Sequence, residues 1–245
     1  MNTVDGLTTE AIRLISDAER EGIVLRALGS VGVRLHCPPV LEDMDQRARW
    51  PKDIDLVTRK RDRRILREFF EREGYAADRD MLVAMEGTRY LFRNQNRNID
   101  IDVWVDVLDL CHRLDVTERM GTGPSLLIED LVLSKLQIVA LTTNDVQDLA
   151  SMLSTHDVGE GTEDPEVIDT AYLSRILGDD WGFWKTATEN LRMVAEHLPP
   201  LGRENVTGLI QVLETAPKTL RWKLRARVGE RMQWWQEVDI PRDTY

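Results

Sequence analysis

The sequence is short of cysteine: Cys37 and Cys111 are the only two in 245 residues, too few for a disulfide framework and in keeping with a reducing compartment. His36-Cys37 and Cys111-His112 could together close a tetrahedral zinc site. However, adjacent residues on one element point in different directions, and structural zinc sites favour ligand gaps of about two to four residues, so buried core thiols are the better expectation. The chain also lacks any apolar run near the roughly 20 residues that a bilayer-spanning helix needs, so no membrane partner is expected. Met1-Asn2-Thr3-Val4-Asp5 has neither the basic nor the apolar region of a secretion signal, so a cytoplasmic location is expected. Positive charge is in deficit as well. Thirty-two Lys and Arg stand against 43 Asp and Glu, for a net charge of −11 and a pI near 4.9, which excludes a general electrostatic grip on duplex nucleic acid. A nucleotide carried with its own magnesium, or an acceptor on a local basic patch, remains compatible with such a chain. Internal repeats and low-complexity tracts are missing too.

What is present is an ordinary globular mixture, 42% hydrophobic and 31% charged, long enough to bury a sizeable core. Residues 8–21 read as an amphipathic helix with Ile12, Leu14, Ile15 and Ala18 at helical spacing, and residues 61–72 as another, closed by Gly74. Strands are expected at 23–28, around Ile54, at 81–85, at 88–92 and at 99–105, with turns between them at Glu86-Gly87 and 94–98. Beyond Gly123-Pro124 the pattern becomes helical, with candidates at 126–141, 144–154, 165–177, 181–197, 203–214 and 220–237. The expected fold is α/β (α+β): a small mixed sheet covered by helices over residues 1–118, then a helical domain over 119–245. In the last helix Leu220, Leu224, Val228, Met232 and Trp235 form a stripe expected to pack. Lys223, Arg227 and Arg231 form a basic stripe, the best-placed RNA contact in the chain.

Two runs stand out, because both set carboxylates among residues that otherwise read as buried strand. In Asp53-Ile54-Asp55 the two acids share one face. In Ile99-Asp100-Ile101-Asp102-Val103-Trp104-Val105 the apolar residues take one face, and Asp100, Asp102, Trp104 and Asp106 the other. Crowded carboxylates are held ionised by divalent cations or basic partners, and hard oxygen donors suit Mg²⁺ or Mn²⁺ better than zinc. Strand parity does not separate Asp100 from Asp102. Upstream, a short hydrophobic strand ends at Gly29-Ser30 before a stretch that could start a helix, a junction where backbone amides can approach a phosphate.

This order (strand, Gly-Ser, Asp-x-Asp, then a later acidic strand) resembles the DNA polymerase β-like nucleotidyltransferase superfamily over roughly residues 20–150. The chain looks closest to the bacterial stand-alone enzymes that include abortive-infection toxins. It departs from the compact pattern in a longer stretch between Ser30 and Asp53 that contains Pro38-Pro39, and in Asn144, where many relatives carry lysine. The resemblance implies transfer of a nucleoside monophosphate from an NTP to an acceptor hydroxyl or phosphate on a tRNA, a protein or a small molecule, with pyrophosphate released. It implies Asp53, Asp55 and Asp102 as catalytic and metal-binding residues for Mg²⁺ or Mn²⁺, its spacing favouring Asp102 as the third acid. Gly29, Ser30 and Lys135 become the nucleotide-binding residues, with Arg34, Arg49 and Lys52 as weaker candidates, and a cognate antitoxin becomes a partner to expect. The alternative is a nucleotide-binding or protein-interaction module that keeps the fold without turnover.

Overall fold

The computed structural model describes residues 4–37, 52–161, 164 and 167–238. Pro38-Pro39 and Arg49 lie outside them. The chain divides into two compact units, Met1–Leu108 with Asp115–Leu127, and Asp109–Leu114 with Ile128–Tyr245. The change of organisation expected at residue 119 therefore stands against a division at Ile128, with residues 109–114 grouped in the second unit.

The first unit runs α1 (Val4–Arg20), β1 (Leu25–Leu28), α2 (Gly29–His36), β2 (Ile54–Thr58), α3 (Arg63–Arg72), β3 (Ala76–Ala77), α4 (Arg79–Ala84), β4 (Arg89–Asn94) and β5 (Ile99–Val105). The five strands form one mixed sheet, ordered β1-β2-β5-β4-β3, in which only β2 and β5 run parallel. The alternation in β2 and β5 explains the layering. Ile54, Leu56, Ile99, Ile101 and Val103 enter a core with Leu14 of α1 and with Phe69, Phe70, Tyr75 and Phe92, leaving the acids to the opposite face. Phe70 stacks on Phe92 with centroids 4.3 Å apart. Ile12, expected on the buried stripe of α1, is 43% exposed.

Of residues 81–85, expected as a strand, 81–84 belong instead to α4 and Met85 to the turn that follows it. A continuous apolar run does not by itself separate strand from helix. Here Asp78 decides the matter, since its carboxylate accepts the Asp80 amide at 3.0 Å and so satisfies a donor in the first helical turn.

After a short ribbon of β6 (Val107–Asp109) and β7 (Arg113–Asp115), the second unit contains α5 (Ile128–Leu136), α6 (Thr143–Thr155), α7 (Thr170–Leu177), α8 (Trp181–Ala195), α9 (Pro200–Thr215) and α10 (Leu220–Val228). It is not helical throughout, because β8 (Val158–Gly159) pairs in parallel with β9 (Ile168–Asp169). The helix expected from residue 165 begins instead at Thr170, where Asp169 accepts the Ala171 amide at 2.8 Å. α6 opens with a capping box between Thr142 and Asp145.

The last helix corrects the sequence in two ways. It stops at Gly229, whose φ of +60° a helix does not continue through, rather than running to residue 237. The stripe expected to pack does so only in part: Leu220, Leu224 and Met232 are 72%, 51% and 65% exposed, while Val228 and Trp235 are half-buried. Among the described residues no helix is long and apolar enough to cross a membrane.

Candidate functional site

β2 and β5 lie side by side in parallel, and their register sets Asp55 opposite Asp102. Residues level with one another on neighbouring parallel strands project to the same face. Asp53, two positions before Asp55 and exposed, precedes β2 on that side. On the other flank β1 pairs antiparallel with β2, Leu28 opposite Asp55, and the chain turns at once into α2. Gly29 makes that turn at φ +60°, a conformation glycine adopts without penalty. The Asp55 carboxylate lies directly against it. A Cβ on Gly29 would collide with Asp55 Oδ2 and stand 2.9 Å from Cγ. Ser30 follows, half-buried in the first turn of α2. Gly29, Asp55 and Asp102 are thus brought together by sheet register, with Ser30 and Asp53 next to them in the chain.

Arg89 of β4 also belongs to this face, and no sequence motif points to it. Its Nε donates to both Asp102 oxygens at 2.9 Å, and its Nη2 donates to Asp102 Oδ2. Its guanidinium lies over the Trp104 ring, 4.3 Å from the centroid. The hydrogen bond to Asp102 raises the Arg89 pKa against the opposing effect of burial, and the charges of Asp102, Asp55 and Asp53 raise it further. Arg89 therefore pairs with Asp102 and feels the charge of the other two acids. Strand register puts it there: in the antiparallel β4–β5 pair Arg89 is level with Trp104, one step diagonally from Asp102.

Asp100 lies directly opposite Arg93, whose Nε and Nη2 donate to its two oxygens at 2.7 and 2.9 Å. Its side chain is 41% exposed, against 13% for Asp102. Asp106 adopts φ +61° and accepts the Lys60 amide at 3.1 Å, a turn-forming role. Among the described residues, no group of three or more His, Cys, Asp or Glu stands in an arrangement that could hold a metal ion. Asp53, Asp55 and Asp102 have the donor chemistry and the common face that Mg²⁺ or Mn²⁺ takes, but Asp102 is turned to Arg89.

Lys135 belongs to the second unit. Its Nζ pairs with Asp145 at 2.8 Å and Asp148 at 2.9 Å, all three side chains being 15% exposed or less. Burial alone would lower its pKa, yet the two carboxylates raise it on balance. Burial would likewise raise Asp145, and Lys135 brings it down. The ammonium offered by the sequence as a triphosphate ligand thus already has two anionic partners. Arg34 is half-buried and Lys52 exposed.

Both thiols are buried. His36 Nε2 lies 2.8 Å from Ser125 Oγ. His112 Nε2 lies 2.9 Å from Thr186 Oγ1, and its ring stacks on Phe183. Lys223, Arg227 and Arg231 are all exposed. A surface depression of about 440 Å³ at the β3 edge is lined by Arg67, Glu71, Tyr75 and Arg79 among others, and by none of the candidate residues.

Comparison with protein-family models and with curated proteins finds no match. Among solved structures, the chain is similar to an antigenic nucleotidyltransferase-like protein from Paracoccidioides brasiliensis, at 12% identity and a TM-score of 0.46 over 88% of this chain and 94% of that one. It is also similar to the antibiotic-resistance factor ANT(2'')-Ia, at 10% identity and a TM-score of 0.39 over 92% and 100% of the two chains. Both TM-scores are below one half, too low to transfer a property to this chain.

Proposed function

We propose that the first unit carries a metal-dependent nucleotidyltransferase site, which moves a nucleoside monophosphate from an NTP to an acceptor hydroxyl or phosphate and releases pyrophosphate. The observation that supports it is the register of Asp55 against Asp102 beside the Gly29 turn, with Asp53 flanking. These three acids would hold Mg²⁺ or Mn²⁺, which when bound would supply charge neutralisation at the phosphates and a more acidic attacking hydroxyl. A phosphate would be met by the N-terminus of α2 at Gly29 and Ser30, the turn the resemblance assigns to it. Asp102 is preferred to Asp100 because it is level with Asp55 and better shielded from water.

Closeness to the toxin-type enzymes, an RNA acceptor met by Lys223, Arg227 and Arg231, and an antitoxin partner belong to the same proposal. Lys135 is assigned to the interior of the second unit. The deciding experiment incubates the protein with each α-labelled NTP, Mg²⁺ and a cell extract. Label carried by an acceptor in step with pyrophosphate supports the reading. Free NMP or phosphate without a labelled acceptor would indicate a hydrolase, and NTP binding with no product a module without turnover.

A further inference from the structure

Resting on that reading, we infer that Arg89 is the resident cation of the acidic face: it neutralises Asp102 in the metal-free protein and must release it before a divalent ion can be held there. Both Asp102 oxygens accept from the guanidinium, so an ion seeking the same lone pairs meets an occupied ligand. It also meets a like charge at short range. The geometry favours a position over a loose surface pair. The Asp102 side chain is 13% and that of Arg89 30% exposed, and the Trp104 ring beneath the guanidinium holds its plane. The comparable pair one step along the strands, Arg93 with Asp100, is exposed on both partners at 55% and 41% and has no register partner in β2.

Arg89 therefore sets the threshold for loading the face with metal. It acts through Asp102 and is a positioning residue.

The test is a Mn²⁺ titration of the full chain without nucleotide, following free Mn²⁺ by its paramagnetic signal. Arg89→Gln should bind Mn²⁺ more tightly than the wild type by roughly five- to hundredfold, the worth of the charge-assisted contacts removed. Arg89→Lys should fall between them, and Asp102→Asn should cancel the gain. In the wild type, Mg²⁺ should shift the Arg89 Nε–H resonance as the guanidinium leaves Asp102, a readout independent of whether the variants fold. An unmoved resonance at saturating metal overturns the inference, as does unchanged Mn²⁺ affinity in a natively melting Arg89→Gln. If the wild type still transfers labelled NMP in either case, the proposed function survives. Should neither wild type nor variants bind Mn²⁺, the acidic face is no metal site and both conclusions fall together.

Discussion

Gly29 is the residue on which the acidic face most depends sterically, because it combines a left-handed backbone with contact to Asp55. Gly29→Ala adds a Cβ that strains the turn, at about 1 to 2 kcal/mol, and drives into the carboxylate. The expected result is a lower denaturation midpoint together with loss of NMP transfer. Normal activity in the alanine variant would show that Asp55 need not lie where it does.

Asp102 and Asp100 make a matched pair at the same scale. Asp102→Asn should abolish transfer and cost about 1 to 2 kcal/mol, since the partly shielded Arg89 loses its anion. Asp100→Asn, on an exposed pair, should leave transfer and melting nearly unchanged. Thermal melts and labelled-product assays on both variants decide this, and a reversed order moves the third acid to Asp100.

At the scale of elements, α1 is tied to the sheet by Glu10 as well as by its apolar stripe. Glu10 accepts from Tyr75 Oη at 2.9 Å, from Arg97 at 3.0 Å and from both ends of the Arg13 fork. Arg13 in turn reaches Glu73. Hydrogen bonding from Arg13 holds the Glu10 pKa below its ordinary value of 4.5 against the effect of burial. A carboxyl so depressed contributes stability that is fully present above about pH 4.5 and is lost as pH falls through the folded value. Glu10→Ala should cost about 3 kcal/mol at neutral pH, because it leaves the buried Tyr75 hydroxyl unsatisfied and removes a shared anion. The variant's deficit should shrink in acid, and urea unfolding at pH 7 and pH 3.5 measures both.

The α5–α6 pair depends on Lys135 in the same way. Lys135→Met leaves Asp145 and Asp148 facing each other with their shared cation gone, and should cost about 3 to 5 kcal/mol. A variant that melts like the wild type would return Lys135 to the ligand-binding candidates.

Across the whole molecule, the two units respond to acid in different windows. In the second unit, burial depresses the His112 pKa from 6.5 to about 4, despite the opposing charge of Asp180. The unfolded chain then takes up the proton first. The stability tied to neutral His112 is complete above about pH 6.5 and drains away as pH falls toward 4, on the order of 3 kcal/mol in all. His112→Gln, which keeps a group able to reach Thr186, should flatten the stability curve between those values while leaving the Glu10-dependent loss below pH 4.5. Unfolding curves at half-unit pH steps would show it, and an unchanged slope would place the acid sensitivity elsewhere.

Much of this protein could be read from residue order, because period and punctuation are local. The alternation in β2 and β5, the Gly29-Ser30 break, the Gly74 stop after α3 and the capping box of α6 each declare an element from a few neighbouring side chains. The common face of Asp53 and Asp55 follows from parity alone. Register does not, since it depends on which strands meet and how far each has slid. The pairing of Asp55 with Asp102, the diagonal approach of Arg89 and the exposed position of Asp100 therefore emerged only in the folded sheet. The same holds for charge. A lysine on an apolar helix and an apolar stripe beside a basic one carry no local mark of their partners. Packing alone buried Lys135 between two carboxylates and left Leu220, Leu224 and Met232 open to water.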